Sequence, residues 1–284
     1  MLSTFIGPVI FLVFLYSPLM RLLAPGSPQV SRKSRPPVNE ELLASEDANQ
    51  TTHCSPDSYS VHVFSREPLV LYIENFLTLQ ERSHLLDISN PIYEPATITH
   101  DGGDSSHRDA TIRDSEVALV PRSETVWCIE DRARALQGWR DEVWIERLRV
   151  QRYGQNGHYN HHFDWSSNHG GWGRVSSFMV WVDDGEGELR GGGTEFPLLR
   201  PKQDSRWCQF VECQAPAAED EPREASPGPK TTVVFKPLPG NAVYWENFRS
   251  DGTGRGYEET WHAGLPVEEG VKIGLNIWSW GRIE

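Results

Sequence analysis

Residues 272–280 read KIGLNIWSW, and alternate positions fall into two chemically different sets. Ile273, Leu275 and Ile277 are branched and apolar, whereas Lys272, Gly274, Asn276, Trp278 and Trp280 mix charge, small size and aromatic bulk. Successive side chains of an extended chain point to opposite faces. The run therefore predicts a strand with one face in a core and the other bordering something that is not core. Gly274 and Asn276 leave room beside Lys272, and an ammonium aimed inward needs an anionic partner, because an unpaired buried charge is very costly. A lysine at a strand end that reaches water with its ammonium is the alternative reading of the same residues.

Further strands are expected at 69–73, 146–153, 175–182, 231–235 and 242–245, and the last three are short or continuously apolar. With 24 Gly and 20 Pro, the chain is punctuated densely enough for many short strands joined by turns, and 11 Trp and 11 Phe supply core bulk. Two helices precede most of the strands. Thr78-Leu79-Gln80-Glu81 forms a capping box that opens a helix carrying Leu85 and Leu86. A second starts after Ser123, carries Val126, Trp127, Ile129 and Ala133, and ends near Gly138. The fold class expected is mainly β with flanking helices (α+β): an antiparallel barrel or jelly roll.

Residues 59–284 are expected to form one domain. Residues 1–23 contain an uncharged apolar run that reads as a signal peptide or signal anchor, weakened by Pro8 and Pro18. Arg21, Arg32, Lys33 and Arg35 favour keeping the following part in the cytosol, while the sequon at Asn49 points to a lumen. The expected location is the endoplasmic reticulum membrane or lumen, with membrane anchoring by the N-terminus as one form. Residues 24–58, rich in Pro, Ser and charge, read as a disordered linker. Residues 200–230 read as an exposed inserted loop. The net charge of −13 argues against a nucleic-acid partner. Four cysteines are too few for a disulfide-built scaffold, and Cys208 and Cys213 could pair in an oxidising compartment.

The segment 152–165, RYGQNGHYNHHFDW, contains His162-Phe163-Asp164. On an extended backbone the imidazole and the carboxylate share a face. Alone, a His-x-Asp pair is common surface polarity. His262 changes its meaning, since two His and one carboxylate make the facial triad of non-heme iron(II) oxygenases, with positions left open. Catalytic zinc accepts the same set, so the metal stays open at this point. His161 should point away from the triad face, and His158 and His169 read as polar loop residues.

Residues 153–164, then Gly192-Gly193-Thr194-Glu195-Phe196-Pro197, then His262-Ala263-Gly264-Leu265-Pro266-Val267 and Lys272, occur in that order. This pattern resembles the catalytic domain of the prolyl 4-hydroxylase family, in a style most like its fungal members, over roughly residues 69–280. The resemblance implies that 59–284 is an Fe(II)/2-oxoglutarate dioxygenase domain. His162, Asp164 and His262 would hold iron, and Lys272 would bind the distal carboxylate of 2-oxoglutarate. Tyr153 and Thr194 would line that pocket, and Trp278 would lie near it. Gly192 and Gly193 would serve a tight turn. Arg113 and Ser115 echo a family Arg-x-Ser piece to which no role is attached. The cofactors implied are Fe(II), with 2-oxoglutarate and O₂ as co-substrates and ascorbate as reductant. The reaction implied is C4 hydroxylation of peptidyl proline, with release of succinate and CO₂. The same chemistry on a small metabolite or free amino acid, and a non-catalytic binding barrel, are the alternatives. The 200–230 insertion and the lack of a preceding peptide-binding domain leave the substrate the least determined part.

Overall fold

The computed structural model describes residues 34–37, 43–44, 53–99, 106–167, 170–185, 187–213 and 232–283. The strands that matter to the site are β1 (Ser60–Arg66), β2 (Leu69–Glu74), β3 (Glu94–Pro95), β4 (Arg113–Asp114), β5 (Glu116–Leu119), β6 (Val143–Ile145), β7 (Arg149–Tyr153) and β8 (His158–His162). They continue with β9 (Trp172–Asp183), β10 (Thr194–Phe196), β11 (Val233–Phe235), β12 (Ala242–Glu246), β13 (His262–Gly264) and β14 (Lys272–Arg282). The major sheet runs β1-β2-β12-β9-β14-β7-β5-β3, with β6 also paired to β14. The minor sheet runs β11-β10-β13-β8-β4. The pairings within both sheets are antiparallel. Two antiparallel sheets facing each other are the jelly-roll arrangement expected from the sequence.

The alternation in β14 sorts its residues between two cores. Ile273, Leu275 and Ile277 join Phe178, Val180 and Val182 beneath α1 (Leu79–Ser89) and α2 (Glu124–Leu136), which contribute Leu85, Val126, Ile129 and Ala133. The second core lies between the sheets, where Tyr72, Met179, Trp181 and Trp245 meet Phe196 and Phe235. The capping box forms as its residues predict: Glu81 N donates to Thr78 Oγ1 at 3.2 Å and Thr78 N to Glu81 Oε2 at 2.8 Å. The Glu81 carboxylate also receives Arg132 of α2 at 2.8 and 3.0 Å, which ties the two helices together. Ser123 caps α2 through Val126 N.

The local expectations are met in part. The strand expected over 146–153 covers only 149–153 (β7); Glu146 follows β6 outside either strand, and its side chain takes Arg174. The insertion is not wholly an exposed loop. A 3₁₀ turn at Ser205–Gln209 leads Phe210 and Val211 into the inter-sheet core, since their apolar area outweighs the polar composition around them. Both cysteine pairs are bonded: Cys208–Cys213, and also Cys54–Cys128, a pairing for which the sequence offers no cue. Within 24–58, Ala44 N donates to Ile145 O at 2.9 Å, Leu43 is buried and Cys54 is tethered, so the segment is fastened to the domain at these points. The N-terminal apolar run, the sequon at Asn49, and residues 214–231 lie outside the described residues. Among the described residues no helix is long and apolar enough to cross a membrane.

Candidate active site

Strands β8 and β13 are neighbours, and their register sets His162 directly opposite His262. Nδ1 of His162 lies 2.8 Å from Asn160 O, and Nδ1 of His262 lies 2.9 Å from Thr260 O. A carbonyl oxygen can only accept, so each ring donates from Nδ1 and keeps the Nε2 lone pair free. Both Nε2 atoms face Asp164, at 3.8 Å from Oδ1 for His162 and 4.0 Å from Oδ2 for His262. The three ligand atoms lie within 4.8 Å of one another, and no other such group occurs among the described residues. Two imidazole nitrogens and one carboxylate, held by backbone acceptors behind them, fit a divalent transition metal with open positions on its far side.

The surroundings tune these groups. Burial, and then His262 beside it, pushes the His162 imidazole down to about 3, so it is a neutral ligand at ordinary pH. Burial alone would raise the Asp164 carboxyl, but His262, His162 and Arg174, with a hydrogen bond from Ser177, hold it below the usual carboxylate range. Trp278 Nε1 donates to Asp164 Oδ2 at 3.0 Å. Tyr159 stacks on His162 with ring centroids 3.7 Å apart, and Phe196 stacks on His262 at 5.4 Å.

Lys272 enters the same pocket from β14, opposite Tyr153 of β7. It is 2% exposed, donates from Nζ to Gly192 O at 2.7 Å and lies 4.8 Å from the Tyr153 ring centre. Among the described residues no carboxylate pairs with it, and burial lowers its pKa to about 8. A buried ammonium with donors to spare fits the carboxylate of a small diacid. Thr194 lines the pocket from β10 and is 4% exposed. Tyr153 lines it too, its hydroxyl donating to Gln151 Oε1 at 2.7 Å. His162, Asp164, His262, Lys272, Tyr153 and Thr194 thus line one cavity, with Trp278 reaching it through Asp164. The paired glycines divide their tasks. Gly192 has φ +68° as a turn requires, while Gly193 is needed for close approach, because a Cβ there would meet Val234 Cγ1 at 2.5 Å.

His161 points away as expected, with Nε2 2.8 Å from Glu195 Oε2, and His158 contacts the backbone oxygens of Asn156 and Thr111. His169 lies outside the described residues. Sequence reasoning missed Glu146 and Arg174. Arg174 donates to both oxygens of the buried Glu146, at 2.6 and 3.0 Å, and its guanidinium lies 3.8 Å over the Trp278 ring. Nothing local marks these two residues, because their partnership depends on β9 lying beside β14. Arg113 donates to Ser115 Oγ at 3.0 Å and covers the Tyr159 ring at 4.7 Å, which places the Arg-x-Ser piece behind His162.

The model of the 2OG-Fe(II) oxygenase superfamily matches residues 148–280, a span that holds the triad and Lys272. Over that span the chain is similar to the 2OG-Fe(II) oxygenases. The chain is 26% identical over 231 residues to prolyl 4-hydroxylase subunit alpha-2 of Caenorhabditis elegans, covering 77% of this chain but 35% of the nematode subunit. It is 25% identical over 232 residues to prolyl 4-hydroxylase 5 of Arabidopsis thaliana, covering 77% of this chain and 70% of the plant protein. Among solved structures, the viral collagen prolyl hydroxylase of Paramecium bursaria Chlorella virus-1, as its 2OG complex, has the same fold. Its TM-score is 0.51 at 22% identity, with 75% of this chain and 96% of that one covered.

Proposed function

We propose that the chain hydroxylates a prolyl residue of a peptide or protein at C4, using Fe(II), 2-oxoglutarate and O₂, with ascorbate as reductant. The observation that carries this reading is the convergence of His162, Asp164, His262 and Lys272 on one pocket between the sheets. Iron bound with 2-oxoglutarate and O₂ supplies the oxidation: one oxygen atom goes to succinate as CO₂ leaves, and the other goes into a C–H bond to give an alcohol.

The chain's own residues do the rest. His162, Asp164 and His262 would hold the metal, their ligand atoms lying within 4.8 Å of one another. Lys272, beside Thr194 and Tyr153, binds the distal carboxylate of 2-oxoglutarate. Trp278 keeps Asp164 in place through its indole N–H. Trp245 and Phe196 pack against His262, keeping water away from the ligands on that side. The donor set alone would also suit zinc, but a buried lysine aimed at an anion has a use in a 2-oxo acid enzyme and none in a simple hydrolase. The two disulfides support work in an oxidising compartment such as the endoplasmic reticulum lumen.

The test is succinate formation by the iron-loaded full chain in the presence of proline-rich peptides, with 4-hydroxyproline sought in the recovered peptide. Peptide-dependent turnover with that product is the expected result. Succinate release that no prolyl peptide stimulates would sink the peptidyl assignment, and hydroxylation of free amino acids instead would move it to a small metabolite.

A further inference from the structure

Arg149 has no part in holding metal or co-substrate, yet the register of β7 places it at the site. It stands opposite Asn276, on the same face as Gln151 and Tyr153, and all three of those neighbours line the pocket. Its guanidinium lies 5.4 Å from the centre of the Trp278 ring, the ring that also carries Arg174 and whose N–H holds Asp164. Along β14, Lys272 and Trp278 are separated by roughly 20 Å at about 3.3 Å per residue. This face of β14 therefore carries a pocket-lining cation at Lys272 and a pair of guanidiniums over Trp278, beyond the pocket residue Asn276.

That pair is short of counter-charge. Glu146 is the one carboxylate both share, and Arg174 takes both of its oxygens at 2.6 and 3.0 Å. Arg149 donates only from Nη1, to Glu146 Oε2 at 3.4 Å and to Arg147 O at 3.5 Å. Among the described residues nothing accepts from its Nε or Nη2. Burial depresses its pKa; Glu146 opposes that shift, and Arg174 and Arg147 add to it. The side chain is still 24% exposed, so a ligand can reach it. Leu119, directly across on β5 and 40% exposed, offers an apolar shelf beside the free donors. A partly desolvated guanidinium with two unspent donors in a planar fork is a carboxylate receptor.

We propose that Arg149 selects substrates that carry an acidic side chain, Asp or Glu, close to the residue to be oxidised, with the stem of that side chain resting on Leu119. This inference rests on the reading of the pocket as a peptide-oxidising site and specifies which peptides it takes.

The test uses two amidated proline-containing peptides that are identical except for Glu or Gln beside the proline. Binding to the full chain is measured by calorimetry, and hydroxylation is measured in parallel. The Glu peptide is expected to bind about tenfold tighter, the worth of one charge-assisted hydrogen bond. That preference should collapse in Arg149→Gln and survive in part in Arg149→Lys. Equal binding of the two peptides, no binding of either, or a Glu preference that persists in Arg149→Gln would overturn the proposal. If the Glu peptide binds selectively through Arg149 but neither is hydroxylated, the anion receptor stands and the prolyl reaction fails. If both are hydroxylated and bind equally, the reverse holds.

Discussion

The indole N–H of Trp278 donates to Oδ2 of Asp164 at 3.0 Å, joining β14 to the carboxylate of the candidate metal-binding triad. Asp164 follows the end of β8 and has no strand partner of its own, so this bond is a main restraint on its rotation. Trp278→Phe keeps the aromatic bulk and removes the donor. Metal affinity should fall by about 10–100-fold, the usual cost of losing a partner behind a ligand. Titration with Fe(II) or Mn(II), beside a thermal melt to confirm folding, measures it; unchanged affinity would show that Asp164 needs no such support.

Lys272, as the proposed partner of the co-substrate carboxylate, should set a pH limit on its binding. Its pKa in the free protein is lowered to about 8 by burial, and a bound carboxylate must raise it again. Below pH 8 the lysine is already charged and affinity for 2-oxoglutarate should be flat. Above pH 8 a proton must be taken up on binding, so affinity should fall by about tenfold per pH unit. Lys272→Met should bind weakly at every pH and lose the slope. A wild-type profile level from pH 7 to about 9.5 would argue against a lysine contact with the co-substrate.

The Glu81–Arg132 pair joins the capping box of α1 to α2 in a buried setting. Glu81→Ala removes one half of the capping box and leaves Arg132 with Asp57 as its remaining carboxylate partner, and should cost about 1–3 kcal/mol in urea denaturation. Changing both residues to apolar ones of similar volume should recover most of that loss. A single-variant cost under about 1 kcal/mol would mean that water reaches Arg132 freely.

The two disulfides should differ in worth. Cys54 and Cys128 are 74 residues apart and Cys208 and Cys213 only 5, and a longer closed loop restricts the unfolded chain more. Replacing the first pair by Ser should cost about 4 kcal/mol and the second about 2 kcal/mol. Comparing the denaturation of the two double variants checks this, and equal losses would contradict it.

The parts legible in the sequence were those carried by short-range periodicity. Alternation over nine residues sorted Ile273 from Lys272, and Thr78 with Glu81 announced a helix start, because each depends on neighbours one to four positions away. His162-Phe163-Asp164 was readable for the same reason, and the ordered motifs around Thr194 and His262 supplied the rest by resemblance. Long-range pairing was not readable. That His162 stands opposite His262, that Arg174 closes on Glu146, and that Arg149 shares a ring with Arg174 all follow from which strands lie side by side and in what register. Gly193 shows the same limit: its sequence context reads as a turn, and only the approach of Val234 from β11 reveals a packing constraint. The sequence by itself determined the fold class and the candidate ligands of the metal and co-substrate. The tertiary structure alone decided the pairing of Arg149 with Arg174 over Trp278 and the anchoring of the insertion and of Cys54, because contacts made across loop closure leave no local pattern behind.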